Sequence, residues 1–139
     1  MTRPVGRFPP RQRVRKRSEY QSIQARARRV VTRRHVLLVY ARDDSSGARV
    51  GTIASRKVGN AAERNRAKRL IREAFRATRW LWPDDVDVVV IVRRPPSGEK
   101  LADVIEDWTA AAAAVAARVA EARKDRSERK SAPGLAEPA

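Results

Sequence analysis

The stretch Ser55-Arg56-Lys57-Val58-Gly59-Asn60-Ala61-Ala62-Glu63-Arg64-Asn65-Arg66-Ala67-Lys68-Arg69-Leu70-Ile71-Arg72-Glu73-Ala74-Phe75-Arg76 decides how the chain is read. Ala67, Leu70, Ile71, Ala74 and Phe75 recur at steps of three and four, which places them on one stripe of a 3.6-residue helix. Thr78 extends that stripe. Asn65, Lys68, Arg69, Arg72 and Arg76 take the opposite face. Asn60 followed by Glu63 has the spacing of a capping box, and Gly59 permits a tight entry turn. Arg64, Lys68, Arg72 and Arg76 form an i+4 ladder of like charge. Each such pair costs an isolated helix roughly 0.2–0.5 kcal/mol. A solvated face usually mixes signs, so a polyanion that neutralises the ladder is the better explanation.

On either side of this helix the pattern is that of strands. Residues 36–40 (Val-Leu-Leu-Val-Tyr) are apolar and β-rich, and residues 49–55 form a second strand after the turn Asp43-Asp44-Ser45-Ser46-Gly47. Their proximity predicts an antiparallel hairpin. After the helix, Trp80-Leu81-Trp82-Pro83 ends the periodicity. Residues 86–92 are apolar but for Asp87, the mark of a central strand buried on both faces. An apolar stripe of Leu101, Val104, Ile105, Trp108, Ala112, Val115 and Val119 predicts one helix over 99–123. A short helix over 19–28 follows an N-cap at Ser18. Residues 1–17 hold seven basic residues, no acid and three prolines, and are expected to be an unstructured arm; residues 124–139 are expected to be a disordered tail. The resulting order is helix, strand, strand, basic helix, strand, helix, a two-layer α+β sandwich spanning 18–123.

Composition agrees with the charged helix. The 139 residues carry 32 Lys and Arg against 16 Asp and Glu, a net charge of +16. That balance suits a polyphosphate partner. No apolar run approaches the roughly 18–20 residues needed to span a membrane, and the basic N-terminus lacks an apolar signal core. With no cysteine, thiolate metal sites and thiol nucleophiles are excluded.

Catalytic signals are sparse. His35 is the single histidine and has no companion at metal-ligand spacing. Asp84, Asp85 and Asp87 sit at a turn, where Asp is common for backbone reasons. No phosphate-binding glycine loop or nucleophile elbow is visible. Any reaction is expected to use a partner's catalytic groups.

Arg49-Val50-Gly51, Ser55-Arg56-Lys57-Val58-Gly59-Asn60-Ala61 and the Arg64-Asn65-Arg66 triplet inside the basic helix together resemble the signature of the bacterial ribonuclease P protein subunit. The resemblance runs over about residues 11–120, including Arg13–Tyr20 and the strand 88–92 ending in Arg93. It implies a protein that binds ribonuclease P RNA and the 5′ leader of precursor tRNA, and assists endonucleolytic removal of that leader. The RNA subunit would be the catalyst, using magnesium ions, so no catalytic residue or metal site is expected on the protein. The partners would be RNA, not DNA or membrane, and the location cytoplasmic. The family fold is a small α/β sandwich also seen in some ribosomal protein domains, with a left-handed crossover around the basic helix against the usual preference.

Carried over by position, Arg56, Lys57, Asn60, Arg64, Asn65, Arg66, Lys68, Arg69, Arg72 and Arg76 would face RNA. Tyr20 matches the first aromatic of a cleft that takes the single-stranded leader. Gln24 stands where the family usually has Phe, and Leu38 where an aromatic is frequent. His35 begins that strand and is expected to stack in its place, with Arg93 at the cleft as well. Two other classes compete: a ribosomal or ribosome-assembly protein, and a self-sufficient nuclease using Asp84, Asp85 or Asp87 with a metal.

Overall fold

The strand β4 (Val86–Val92) organises the sheet, because its residues are apolar toward both faces. In a computed structural model of the chain, which describes residues 12–131, β4 lies between β2 (His35–Ala41) and β3 (Arg49–Ile53). It runs antiparallel to β2 and parallel to β3. The expected hairpin of β2 with β3 therefore does not form. Adjacent strands are about 4.8 Å apart, so residues 42–48 easily span the extra strand. Arg42 pins the connection: its guanidinium donates to the carbonyls of Gly47, Asp84 and Val86 at 2.8, 3.1 and 3.2 Å.

A fourth strand, β1 (Arg28–Val31), pairs antiparallel with β2 and forms an edge, giving the order β1-β2-β4-β3. Sequence reading misses it, since Val30 alone of its four residues faces the core. Before it, α1 (Arg17–Arg26) buries Ile23.

The basic helix, α2, covers Ala61–Ala77 and buries the expected stripe of Ala67, Ile71, Ala74 and Phe75. Thr78 closes it, fully buried, with Oγ1 donating to the Ala74 carbonyl at 2.7 Å. The expected single C-terminal helix is two, α3 (Leu101–Ala110) and α4 (Ala112–Ser131). Helices α2, α3 and α4 share one face of the sheet, around Leu37, Val39, Val88, Val90, Phe75, Trp82 and Trp108. On the other face α1 covers a smaller cluster of Val14, Ile23, Val36, Leu38 and Val89.

Both expected disordered segments need correction where they are described. Val14 is buried, and its N–H reaches the Val50 carbonyl at 3.0 Å, so residues 12–16 dock beside β3. Residues 1–11 lie outside the described residues. At the other end, helix α4 continues past residue 123 to Ser131, and 132–139 lie outside the description. Long-range ion pairs hold this extension: Asp125 takes two nitrogens of Arg28 at 2.8 Å, and Asp85 takes Arg123 and Arg126 at 2.9 Å. Such tertiary partners override a composition that reads as tail.

Candidate RNA interface

Helix α2 starts as its sequence dictates. The Asn60 side chain accepts the Glu63 N–H at 2.9 Å, and Glu63 accepts the Asn60 N–H at 3.1 Å. Gly59 precedes the cap at φ 154°, and a Cβ there would run into the Glu63 carboxylate. Asn60 is thus a cap whose amide oxygen is already engaged, which limits the RNA contact expected of it.

The residues expected to face RNA divide into groups. Asn65, Arg66 and Arg69 are exposed, while Arg64, Lys68, Arg72 and Arg76 are half-buried. Arg56 and Lys57 are exposed on a 3-10 turn leading into α2. No carboxylate lies in ion-pair contact with Arg64, Arg66, Lys68, Arg69 or Arg72 among the described residues. Where these arginines are anchored, the partner is a neutral carbonyl. Arg64 donates to Gly59 at 3.3 Å, and Arg66 donates to Pro96 and Glu99 at 2.7 and 2.6 Å. Arg66 therefore also ties α2 to the loop before α3, a structural role that the triplet motif does not reveal.

Arg72 connects this face to a second one. Burial lowers its pKa first, and the neighbouring Arg13 guanidinium lowers it further. Two cations are held together beside Tyr20, which is the arrangement an incoming phosphate would relieve. The Tyr20 ring lies across Gly51, where a Cβ would approach ring atoms to 2.8–3.0 Å, and its hydroxyl accepts the Thr52 N–H at 3.3 Å. Gly51 is therefore the gap in β3 into which the ring fits.

A cleft opens beyond Tyr20 between α1 and the sheet. Gln24, Ala27, Arg29, Leu38 and Ile91 line it, with a volume of about 260 Å³. Gln24 is exposed and Leu38 is nearly buried at its floor. Strand alternation continues this face to Arg93, which is exposed and donates to the Thr32 carbonyl at 3.4 Å. The structure therefore brings Tyr20, Gln24, Leu38 and Arg93 to one side of the sheet.

His35 does not join them. It occupies the opposite face of β2, only 3% exposed, where its Nδ1 accepts the Trp108 indole N–H at 3.1 Å. Burial holds its pKa down at about 4, so it is neutral at pH 7. The two-residue period of β2 decides the point: Val36, Leu38 and Tyr40 face the cleft side, and His35, Leu37 and Val39 do not. Tyr40 is the aromatic residue that sequence reading missed, and the same alternation from Leu38 would have found it. Its ring is half-buried, with the Arg129 guanidinium 4.7 Å from the centroid.

Two of the three aspartates of the nuclease alternative, Asp85 and Asp87, have other occupations, while Asp84 is exposed. Asp87 is buried and receives two nitrogens of Arg49 at 2.9 and 2.8 Å and Arg42 at 2.7 Å. Asp85 takes Arg123 and Arg126, and those hydrogen bonds, Arg123's foremost, lower its pKa to about 2. Among the described residues no three His, Cys, Asp or Glu side chains gather in a metal-binding group.

Comparison with known proteins gives the family. The family model for Ribonuclease P matches residues 8–115. The ribonuclease P protein component of Syntrophus aciditrophicus is 38% identical over 69% of this chain and 80% of its own length. That of Gluconacetobacter diazotrophicus is 40% identical over 68% and 83%. Among solved structures, the RNase P protein of Thermotoga maritima superposes with a TM-score of 0.61 at 30% identity, covering 70% of this chain and 91% of that one. The Staphylococcus aureus RNase P protein gives 0.62 at 28% identity, covering 70% and 89%. By sequence and by fold, the chain belongs to the ribonuclease P protein family.

Proposed function

We propose that the chain is the protein component of a ribonuclease P ribonucleoprotein, binding the ribonuclease P RNA through α2 and the 5′ leader of precursor tRNA in the cleft beside α1. Removal of that leader gives the mature tRNA 5′ end, in the cytoplasm where the precursor is made. The observation that carries this reading is the meeting of the two faces at Arg72, Arg13 and Tyr20. Arg64, Arg66, Lys68, Arg69 and Arg72, which have no carboxylate in ion-pair contact among the described residues, lead to an aromatic ring on the same side of the sheet as an open cleft. Phosphates neutralise the helix ladder, releasing counterions. Unpaired bases stack on exposed aromatic rings, worth about 1–3 kcal/mol each. With Gln24 and Leu38 in place of aromatics, the cleft leaves a larger share of leader affinity to phosphate contacts.

The hydrolytic step belongs to the RNA subunit, with magnesium held there. The chain's Asp85 and Asp87 do not fit a metal-holding role, since each is paired with two guanidiniums. Its residues bind and orient the substrate. The test is 5′ cleavage of a precursor tRNA at low magnesium with protein alone, RNA alone and both. Cleavage restored only by the combination supports the reading. Cleavage by protein alone would overturn it in favour of a nuclease. No effect on a competent RNA would favour a ribosomal role.

A further inference from the structure

At the end of the sheet where β2 begins and β4 ends, arginines converge outside both faces described above. The turn between β1 and β2 supplies Arg33 and Arg34, and the loop after β4 supplies Arg94; with Ser97, Gly98 and Glu99 they line a cavity of about 210 Å³. Arg66 reaches the same loop from α2.

Apart from Arg34, these side chains are placed without a carboxylate in ion-pair contact among the described residues. Arg94 donates to the Arg33 carbonyl at 2.7 Å, and Arg66 to the carbonyls of Pro96 and Glu99. Arg33 is exposed, and its position is fixed through the backbone: the N–H groups of Arg33 and Arg34 donate to the Asp107 carboxylate at 3.1 and 3.2 Å. Arg34 alone has a carboxylate on its guanidinium, Glu99 at 3.2 Å. The cavity wall also includes Asp103, whose carboxylate is turned to the Lys100 N–H at 2.9 Å. Burial raises the pKa of Glu99, and the three guanidiniums of Arg34, Arg66 and Arg94 around it lower it. Carbonyl-anchored guanidiniums keep their charge and have donors to spare, the arrangement suited to a phosphate oxygen.

We propose that Arg33, Arg34 and Arg94 form a second phosphate-binding site that holds a phosphodiester of the RNA assembled with this protein. The site adjoins α2 through Arg66 and the cleft through Arg93, so a strand leaving either would reach it. It rests on the RNA-binding reading above and adds to it a contact that the basic-helix motif does not contain.

The test is the double variant Arg33→Gln/Arg94→Gln, compared with Lys124→Gln/Lys130→Gln, which removes the same charge from exposed positions of α4. Circular dichroism and the melting temperature establish that both fold. Affinity is measured against salt for three RNAs: ribonuclease P RNA alone, and the assembled holoenzyme with a long-leader or a short-leader precursor. The site predicts that the arginine variant binds one RNA strand about tenfold more weakly. Its slope of log affinity on log salt should fall by roughly 0.7–0.9 per lost contact, with the lysine variant near wild type. A loss confined to the long leader places the phosphate in the leader; a loss with ribonuclease P RNA alone places it there. Equal behaviour of the two variants on all three RNAs overturns the site. Failure of the wild-type chain to bind any of the three would instead overturn the RNA-binding reading itself.

Discussion

Two populations of arginine in this chain do opposite work. Arg42, Arg49, Arg123 and Arg126 are each paired with a carboxylate from a distant part of the sequence, and they fasten the sheet's turns and the end of α4. On α2, Arg64, Arg66, Arg69 and Arg72 have no such partner among the described residues and keep their charge for something outside the chain. A composition of +16 conceals this difference, because it counts both populations alike. Charge compensation separates arginines neutralised within the fold from arginines left charged for a partner, and Arg66 alone of the α2 set also ties the helix to the loop before α3.

The largest expected effect comes from breaking the compensated population. Asp87→Ala leaves Arg42 and Arg49 beside one another without their shared carboxylate. Loss of one partner from a buried pair costs about 3–5 kcal/mol. Chemical denaturation should show that loss, while RNA affinity per folded molecule should stay near wild type.

Acid should act next, through His35. Its pKa is lowered on folding from 6.5 to about 4, so the folded state prefers the neutral ring. The stability this contributes is complete above about pH 6.5 and is lost as pH falls toward 4, at roughly 1.4 kcal/mol for each pH unit within that window. Urea titrations between pH 7 and 4 should show the decline, and His35→Phe should lessen it in that window. An unchanged pH profile in that variant would mean that other groups control acid sensitivity.

Tyr20→Ala should weaken binding of leader-bearing precursor by about 1–3 kcal/mol and leave mature tRNA almost unaffected. Equal losses for both would mean that the ring only supports β3. Gly51→Ala tests the same contact from beneath, because the new methyl must displace the Tyr20 ring. It should reproduce part of the leader-specific loss.

The smallest effect on stability belongs to α2. Removing Arg64, Lys68 and Arg69 together should change the folding free energy by under about 1 kcal/mol, and relief of like-charge repulsion offsets part of any loss.

The period of α2, its capping box, the central position of β4 and the cationic face were all legible in the sequence, because each rests on local spacing. Pairing was less so. That β4 separates β2 from β3 depends on Arg42 reaching carbonyls 42 and 44 residues away in sequence. The face of β2 on which His35 lies follows from alternation, yet resemblance to a family position pointed the other way. Arg66 as a tie to the loop before α3, and the helical continuation past residue 123, depend on long-range partners that no local pattern encodes.

One paired measurement tests the division most directly: the salt dependence of RNA affinity and the melting temperature for Arg64→Ala/Lys68→Ala/Arg69→Ala beside Arg42→Ala/Arg123→Ala/Arg126→Ala. Each variant removes three positive charges. The first should show a flattened salt slope with a near-native melting temperature, and the second a lowered melting temperature with a near-native slope. Equal flattening in both would contradict the division, because net charge alone, and not Arg64, Lys68 and Arg69 on α2, would then govern RNA binding.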